Sequence, residues 1–369
     1  MSKTPEKNPR LGKVGGQAVI EGVMMKSGQR TATACRHANG AITVVKNTFV
    51  SKREKNKFWN LPILRGVVNF IEMMLLSFKT INISADAFLE EEEPKKEQKP
   101  SWMKKHLGFS GYDLAMALSM VLGLGLALVL FLWLPTFLAD LLVKEDTVWK
   151  SLLEGGLKVA IFVSYLLLTL LMRDMRRVFA YHGAEHKCVA CYEAGDPLTP
   201  EYAKKHTRFH PRCGTSFMFV MILLGVLVGF AIRLAFPEIE HWLYVSVRLL
   251  ILPLVVGVGY EFIRFAGNHN GFVVRALSAP GLWMQRITTR EPDEEMLEIA
   301  LTALMCAMPE EFPDFDETTY DRSKKGAKTE SENEECDAPH SPSDFACGEA
   351  TSLPEGGSAE AQNTEDETL

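Results

Sequence analysis

Four stretches of the chain are long and apolar enough to cross a bilayer, which takes about 20 mostly apolar residues. They cover residues 112–138, 152–172, 216–236 and 243–263. A further apolar stretch, LPILRGVVNFIEMMLLSFKTINIS, has a different pattern. Its charges Arg65, Glu72 and Lys79 recur every seven residues and so share one helical face, with Asn69 beside them. Spanning would carry three charges into hydrocarbon at roughly 2.5–3.5 kcal/mol each near the centre. Residues 61–83 are therefore expected as an amphipathic helix in the membrane interface or against the bundle.

Upstream the pattern changes. TATACRHANGAITVVKNTF holds two β-prone runs around Asn39-Gly40, a strong hairpin signal. GGQAVIEGVMMKSG precedes it, with Glu21 the lone charge in its middle. The expected fold is a mainly α-helical integral membrane protein. It has about four transmembrane helices, a small N-terminal β-containing unit within 14–53 and a cytoplasmic helical loop.

The organisation follows from these stretches. Residues 1–13 form a flexible N-terminus, and 14–89 the β-containing unit with the interfacial helix. A charged linker covers 90–111, the first two spans 112–172, a polar loop 173–215 and the next two spans 216–263. A cytoplasmic helical segment occupies 264–308, and 309–369 is a tail. The second span is expected to continue as a helix through the loop to about Gly195. Thr199-Pro200-Glu201 gives a cap and a first-turn proline for a helix over 200–209. LSAPGLWMQRITTREP reads as an interfacial stretch with an aromatic anchor. A helix over 292–307 then presents Met296, Ile299, Ala303 and Leu304 for packing.

Charge orients the chain. MSKTPEKNPRLGK has no apolar core, so no cleaved signal peptide is expected. Lys104 and Lys105, eight basic residues in 173–215, and Arg264, Arg275, Arg286 and Arg290 flank one side of the spans. The opposite loops are poor in positive charge. The positive-inside rule places both termini and the 173–215 loop in the cytoplasm. All seven cysteines then lie on the reducing side, where thiols or metal ligands are expected rather than disulfides.

The formal charge of −6 hides a split. From Pro309 onward, 18 acidic residues face four basic ones, which predicts a disordered acidic tail suited to a protein partner. The rest is net basic and suits anionic membrane lipids. No basic run is interleaved with aromatics, so nucleic acid is not an expected partner.

The chemistry concentrates in YHGAEHKCVACYEAG. His182, Glu185 and His186 spell H-x-x-E-H, which on a helix turns both imidazoles to one face with the carboxylate alongside. His206, His210 and Cys213 are nearby candidates for a third ligand. A rival set, Cys188-x2-Cys191 with His206-x3-His210, has zinc-finger spacing, but Gly195 and Glu201 stand where a finger needs apolar residues. The cytoplasmic histidine boxes of membrane di-iron enzymes are a second rival; here both boxes lie in one loop and no His-His pair occurs. Glu21 reads as a paired structural carboxylate. Met24, Met25, Met73 and Met74 read as packing or lipid contact, and His37 and His269 as surface residues.

Taken together, GGQAVIEGVMMKS, YHGAEHK, HPRCGTSFMF and LSAPGLWMQRITTREPDEEMLEIAL resemble the YqhQ-like bacterial family of domain-of-unknown-function 1385. The likeness runs from about Val14 to Ala307. It implies an inner-membrane protein described as a metal-dependent enzyme. It maps the family's site onto His182, Glu185, His186, His210 and Cys213, and its N-terminal motif onto Gly15, Gly16, Gln17 and Glu21. It also implies that cysteine at 188 and 191 is not general among relatives.

The expected site has His182 and His186 as ligands, Cys213 or His210 as the third, and Glu185 as general base or ligand. Imidazole with thiolate suits zinc, with iron the alternative. The expected chemistry is metal-assisted hydrolysis of a peptide or lipid-linked substrate. The competing reading is a membrane scaffold or biogenesis factor with a structural metal.

Overall fold

In a computed structural model the protein is described over residues 8–37, 40–89, 111–144, 148–266 and 271–315. The 90–110 part of the charged linker, His269 and residues 316–369 of the acidic tail lie outside the described residues, as does Asn39.

The β-containing unit is a four-stranded antiparallel meander: β1 (Val14–Val19), β2 (Gly22–Ser27), β3 (Arg30–Arg36) and β4 (Ile42–Thr48), paired in that order. The expected hairpin is β3–β4, with Arg36 opposite Ile42 and Gly40 at φ +85° in the turn. GGQAVIEGVMMKSG supplies a second hairpin, with Gln17 opposite Met24 and Glu21 at positive φ in the turn. Alternation splits the sheet into two faces. Val23, Met25, Ala32 and Ala34 point into the main core, while Gln17, Met24 and Thr33 share the other face.

Ten α-helices of six or more residues are described: α1 (Leu64–Leu89), α2 (Gly111–Leu128), α3 (Leu134–Leu142), α4 (Val148–Thr169), α5 (Arg173–Ala194), α6 (Pro200–Lys205), α7 (Gly214–Ala235), α8 (His241–Ala266), α9 (Phe272–Thr288) and α10 (Glu294–Ala307). A π turn at Val129–Trp133 joins α2 to α3. Asp293 caps α10, whose Met296, Ile299, Ala303 and Leu304 are buried as the stripe predicts. Leu297, Ala300 and Leu301 are buried too, because the sheet covers one side of α10 and α5 the other.

Among the described residues, five helical stretches are long and apolar enough to cross a membrane: Leu64–Ala85, Leu118–Leu142, Trp149–Thr169, Gly214–Ala235 and His241–Ala266. That is one more than the four expected. The extra one is α1, whose Arg65, Glu72 and Lys79 are each partnered. Arg65 Nε donates to Glu261 Oε1 at 2.6 Å, and Glu72 accepts from Ser51 Oγ and Lys52 N, each at 2.7 Å. Lys79 Nζ reaches Asn47 Oδ1 at 3.5 Å.

Four further expectations are corrected. The second span does not run on into the loop: α4 ends at Thr169, residues 170–172 turn, and α5 starts afresh at Arg173. The break lets the charged α5 leave the apolar axis and pack into the polar unit. The helix from Pro200 stops at Lys205, leaving 206–213 as an irregular loop around the site. Residues 8–13 of the expected flexible N-terminus are docked, with Asn8 Nδ2 on Glu193 O and Gly12 N on Glu193 Oε1.

The fourth concerns Arg248, whose place toward the outer end of its span in the sequence predicts a side chain that snorkels to water. It is turned inward, 7% exposed, onto Glu154 of α4. Glu154 also binds Lys158 at 2.9 Å, Tyr244 at 3.0 Å and Thr136 at 3.1 Å. A carboxylate already buried offers the guanidinium a nearer partner than water does. Arg233 pairs with Asp140, which also holds Lys150 and His241.

Candidate metal centre

Helix α5 supplies two of the candidate ligands. His182 and His186 are one turn apart, and their ring centroids lie 4.4 Å from each other. Cys213, the N-cap of α7, brings its sulfur to 3.3 Å from His182 Nε2. A ligand atom from each of these three residues lies within 4.8 Å of the others, the one such group found among the described residues. The cluster is largely buried, with His186 2% and Cys213 7% exposed.

The hydrogen bonds behind the rings fix their chemistry. His182 Nδ1 lies 2.9 Å from the carbonyl oxygen of Thr288, and His186 Nδ1 lies 2.5 Å from that of Arg208. A carbonyl oxygen only accepts, so each Nδ1 carries the proton. Each Nε2 is then left with a lone pair, the arrangement that supports imidazoles in metal sites. Imidazole and thiolate are ligand types that zinc takes, and a catalytic zinc site has three protein ligands with the fourth position open. The residues fit such an ion.

The loop and α9 hold this geometry. Gln285 is fully buried; its Oε1 accepts from His210 N at 2.8 Å, and its Nε2 donates to His210 O at 2.8 Å and Ser216 Oγ at 3.0 Å. Two glycines allow close approach. The backbone of Arg290 crosses α5 at Gly183, and β1 crosses α5 at Gly16, where a Cβ would press on Met25 and on Glu185 Cγ. The N-terminal GGQ motif thus sets the sheet on the site.

Glu185 is 7% exposed, and its Oε2 lies 4.0 Å from His182 Nε2. It is beside the ligands without joining the triad. His210, expected as an alternative third ligand, is outside it as well. Its Nε2 faces Glu193 Oε2 at 3.6 Å, and that carboxylate also binds Arg212. Burial pushes Glu193 up, but the His210 contact, the Gly12 N–H and Arg212 outweigh it and hold the group below the usual carboxylate range. The His186 and His210 rings still face each other at a tilt of 38°, with centroids 5.6 Å apart.

The zinc-finger set is not assembled. His206 Nε2 bonds Asp196 Oδ2 at 2.9 Å, and Cys188 and Cys191 point to the carbonyls of Leu297 and Pro197. Burial raises both thiols, Cys191 to about 11, which suits core residues rather than thiolate ligands. Glu21 is the paired carboxylate expected, binding Arg177, Arg36 and Tyr181.

Sequence reasoning missed Thr288, Arg208 and Gln285. The first two act through backbone carbonyls, which no spacing rule reports. Gln285 lies inside the quoted QRITTREP stretch and was visible only as part of an interfacial segment.

Comparison with known proteins agrees with the motifs. The sequence profile of the family described as "Protein of unknown function (DUF1385)" matches residues 61–310, a region that contains the triad together with Arg208, Gln285 and Thr288. The chain is 33% identical over 294 residues to "Uncharacterized protein YqhQ" of Bacillus subtilis (strain 168), covering 78% of this chain and 89% of that protein. No solved structure matches it. The chain belongs to the DUF1385 family of proteins of unknown function.

Proposed function

We propose that His182, His186 and Cys213 hold a zinc ion, with iron the alternative metal, and that Glu185 serves as general base in hydrolysis at the cytoplasmic face of the bacterial inner membrane. The carrying observation is the pair of backbone carbonyls on the two Nδ1 atoms, which leaves both Nε2 lone pairs converging with the Cys213 sulfur. The positive-inside rule supports the orientation.

Helix α1 is placed in the interface rather than across it. Its Ser77, Lys79 and Ser84 all bond the sheet unit, at Gln17, Asn47 and Ile20. A crossing helix would drag those polar sheet groups into hydrocarbon. Ile71, Leu75 and Phe78 are exposed on α1 and meet lipid.

Zinc held at the triad supplies Lewis-acid polarisation of a carbonyl or phosphoryl oxygen. The chain's own part is proton transfer. As the oxygen of one water adds to the scissile carbon or phosphorus, Glu185 takes its proton and returns it to the departing amine or alkoxide. A site between α5, α7 and α9 at the membrane surface suits a peptide or lipid-linked substrate that arrives along the interface.

A second reading keeps the metal and drops the chemistry: a structural ion in a membrane scaffold or biogenesis factor. The deep burial of His186 and the loop held by Gln285 favour it. Metal analysis of purified protein beside a His182→Ala, His186→Ala variant tests the site. Near one ion per chain, lost in the variant, is expected. Glu185→Gln then separates the readings. A general base is lost with the metal retained, whereas full complementation by this variant in a deletion strain leaves the structural reading.

A further inference from the structure

On the far side of α5 from the metal centre lies a pocket of 340 Å³ walled by Arg173, Arg176, Arg177 and Arg290, with Glu291 at its edge and Ala180 and Met296 as an apolar floor. At 3.6 residues per turn, Arg173, Arg176 and Arg177 share one face, and His182 lies half a turn around from Arg173. The two sites are separate surfaces of one helix.

The charges in the pocket do not cancel. Arg177 is held by Glu21, with Nη2 at 2.6 Å from Oε2. Glu291 already accepts from Lys187 at 3.0 Å and Arg208 at 2.9 Å. The guanidinium groups of Arg173, Arg176 and Arg290 make no hydrogen bond or ion pair with the described residues. Three like charges around one concave surface repel each other, so the pocket calls for an anion. Guanidinium forks match phosphate oxygens bidentately.

Position selects the anion. Arg173 follows the apolar α4 after three residues, and Leu168, Leu171 and Met172 are exposed at that end, Leu171 at 75%. An anion here sits where a bilayer's phosphates would lie, with apolar side chains beside it for acyl tails.

We propose that this pocket binds the phosphate of an anionic phospholipid, with Arg173, Arg176 and Arg290 on the headgroup and the acyl chains along Leu168 and Leu171. The lipid would fix the break between α4 and α5 at the membrane surface. The occupant is part of the bilayer, not a soluble metabolite.

The test uses full-length protein in non-ionic detergent, titrated with short-chain phosphatidylglycerol, short-chain phosphatidylcholine and inorganic phosphate, and followed by thermal unfolding. Phosphatidylglycerol should raise the midpoint saturably while the other two do not. Arg173→Gln, Arg176→Gln, Arg290→Gln should weaken the apparent affinity roughly 100-fold, at about 1 kcal/mol for each arginine. Unchanged metal content and an unchanged midpoint without lipid would show that this variant is folded. If it does not fold, Arg290→Gln alone should weaken the lipid response about fivefold. An equal response to phosphatidylcholine, an equal response to phosphate, or undiminished phosphatidylglycerol binding by the variants would overturn the proposal.

Discussion

Gly183 lies directly beneath the carbonyl oxygen of Arg290: a Cβ at 183 would overlap that oxygen, and nothing flexible stands between them. The crossing is fixed further by Arg290 N, which donates to Phe179 O at 2.8 Å. It places the end of α9, and so the Thr288 carbonyl, against His182. Gly183→Ala should push the connection after α9 away, costing roughly 1–3 kcal/mol as overpacking of a tight interior. The expected outcome is a lowered midpoint in thermal unfolding together with weakened metal binding. Unchanged metal affinity in a destabilised Gly183→Ala protein would break the link between this crossing and the His182 tautomer.

Gln285 tests the loop. It satisfies both backbone groups of His210 while its own polar atoms are fully buried. Gln285→Leu keeps the size of the side chain but strands a buried N–H and a buried C=O, each costing about 1–3 kcal/mol. The variant should lose metal affinity by roughly 10–100-fold, the range seen for supporting groups of metal sites. Isothermal titration with zinc checks it, and Gln285→Glu should fail as well, because it accepts but cannot donate to His210 O.

Glu154 tests the bundle. One carboxylate, 2% exposed, faces Lys158 and Arg248, 6% and 7% exposed. Removing it leaves two buried cations without that partner. Glu154→Gln should cost about 3–5 kcal/mol, the range for breaking a buried pair from one side. Glu154→Leu combined with Lys158→Met and Arg248→Met should recover most of that loss. Unfolding midpoints in detergent decide, and equal losses in the single and triple variants would show that the network is valued for something other than charge balance.

The elements legible from sequence were those with a long, uninterrupted period: the apolar helices, the β3–β4 hairpin and the α10 stripe. The two candidate ligands on α5 were legible because an i, i+4 pair needs only one helix to meet. Cys213 was one of several candidates until the fold brought its sulfur to His182. The break at residues 170–172 left no glycine or proline as a signal. It follows from where α5 must pack, which is tertiary information. The Glu154–Arg248 pair was hidden for the same reason, since its partners are far apart in the chain and on different helices.

Glu21 gives a prediction with a definite sign. Burial raises its pKa, but the Arg177 guanidinium, with Arg36 and the Tyr181 hydroxyl, outweighs burial and holds the carboxyl below its ordinary value. A carboxylate whose folded pKa lies below its unfolded one adds stability that is fully present above the unfolded value, near pH 4. That stability fades as pH falls through the lower folded value. Glu21→Gln removes this contribution and leaves Arg177 and Arg36 without the carboxylate they share. The variant should unfold at a lower temperature than the parent at pH 7, by an amount corresponding to roughly 1–3 kcal/mol. The gap should hold from pH 7 down to about pH 5 and narrow steadily below about pH 4. Thermal unfolding of both proteins across that range measures it. A gap that stays constant into acid would mean that Glu21 acts through the shape of the β1–β2 turn rather than through its charge.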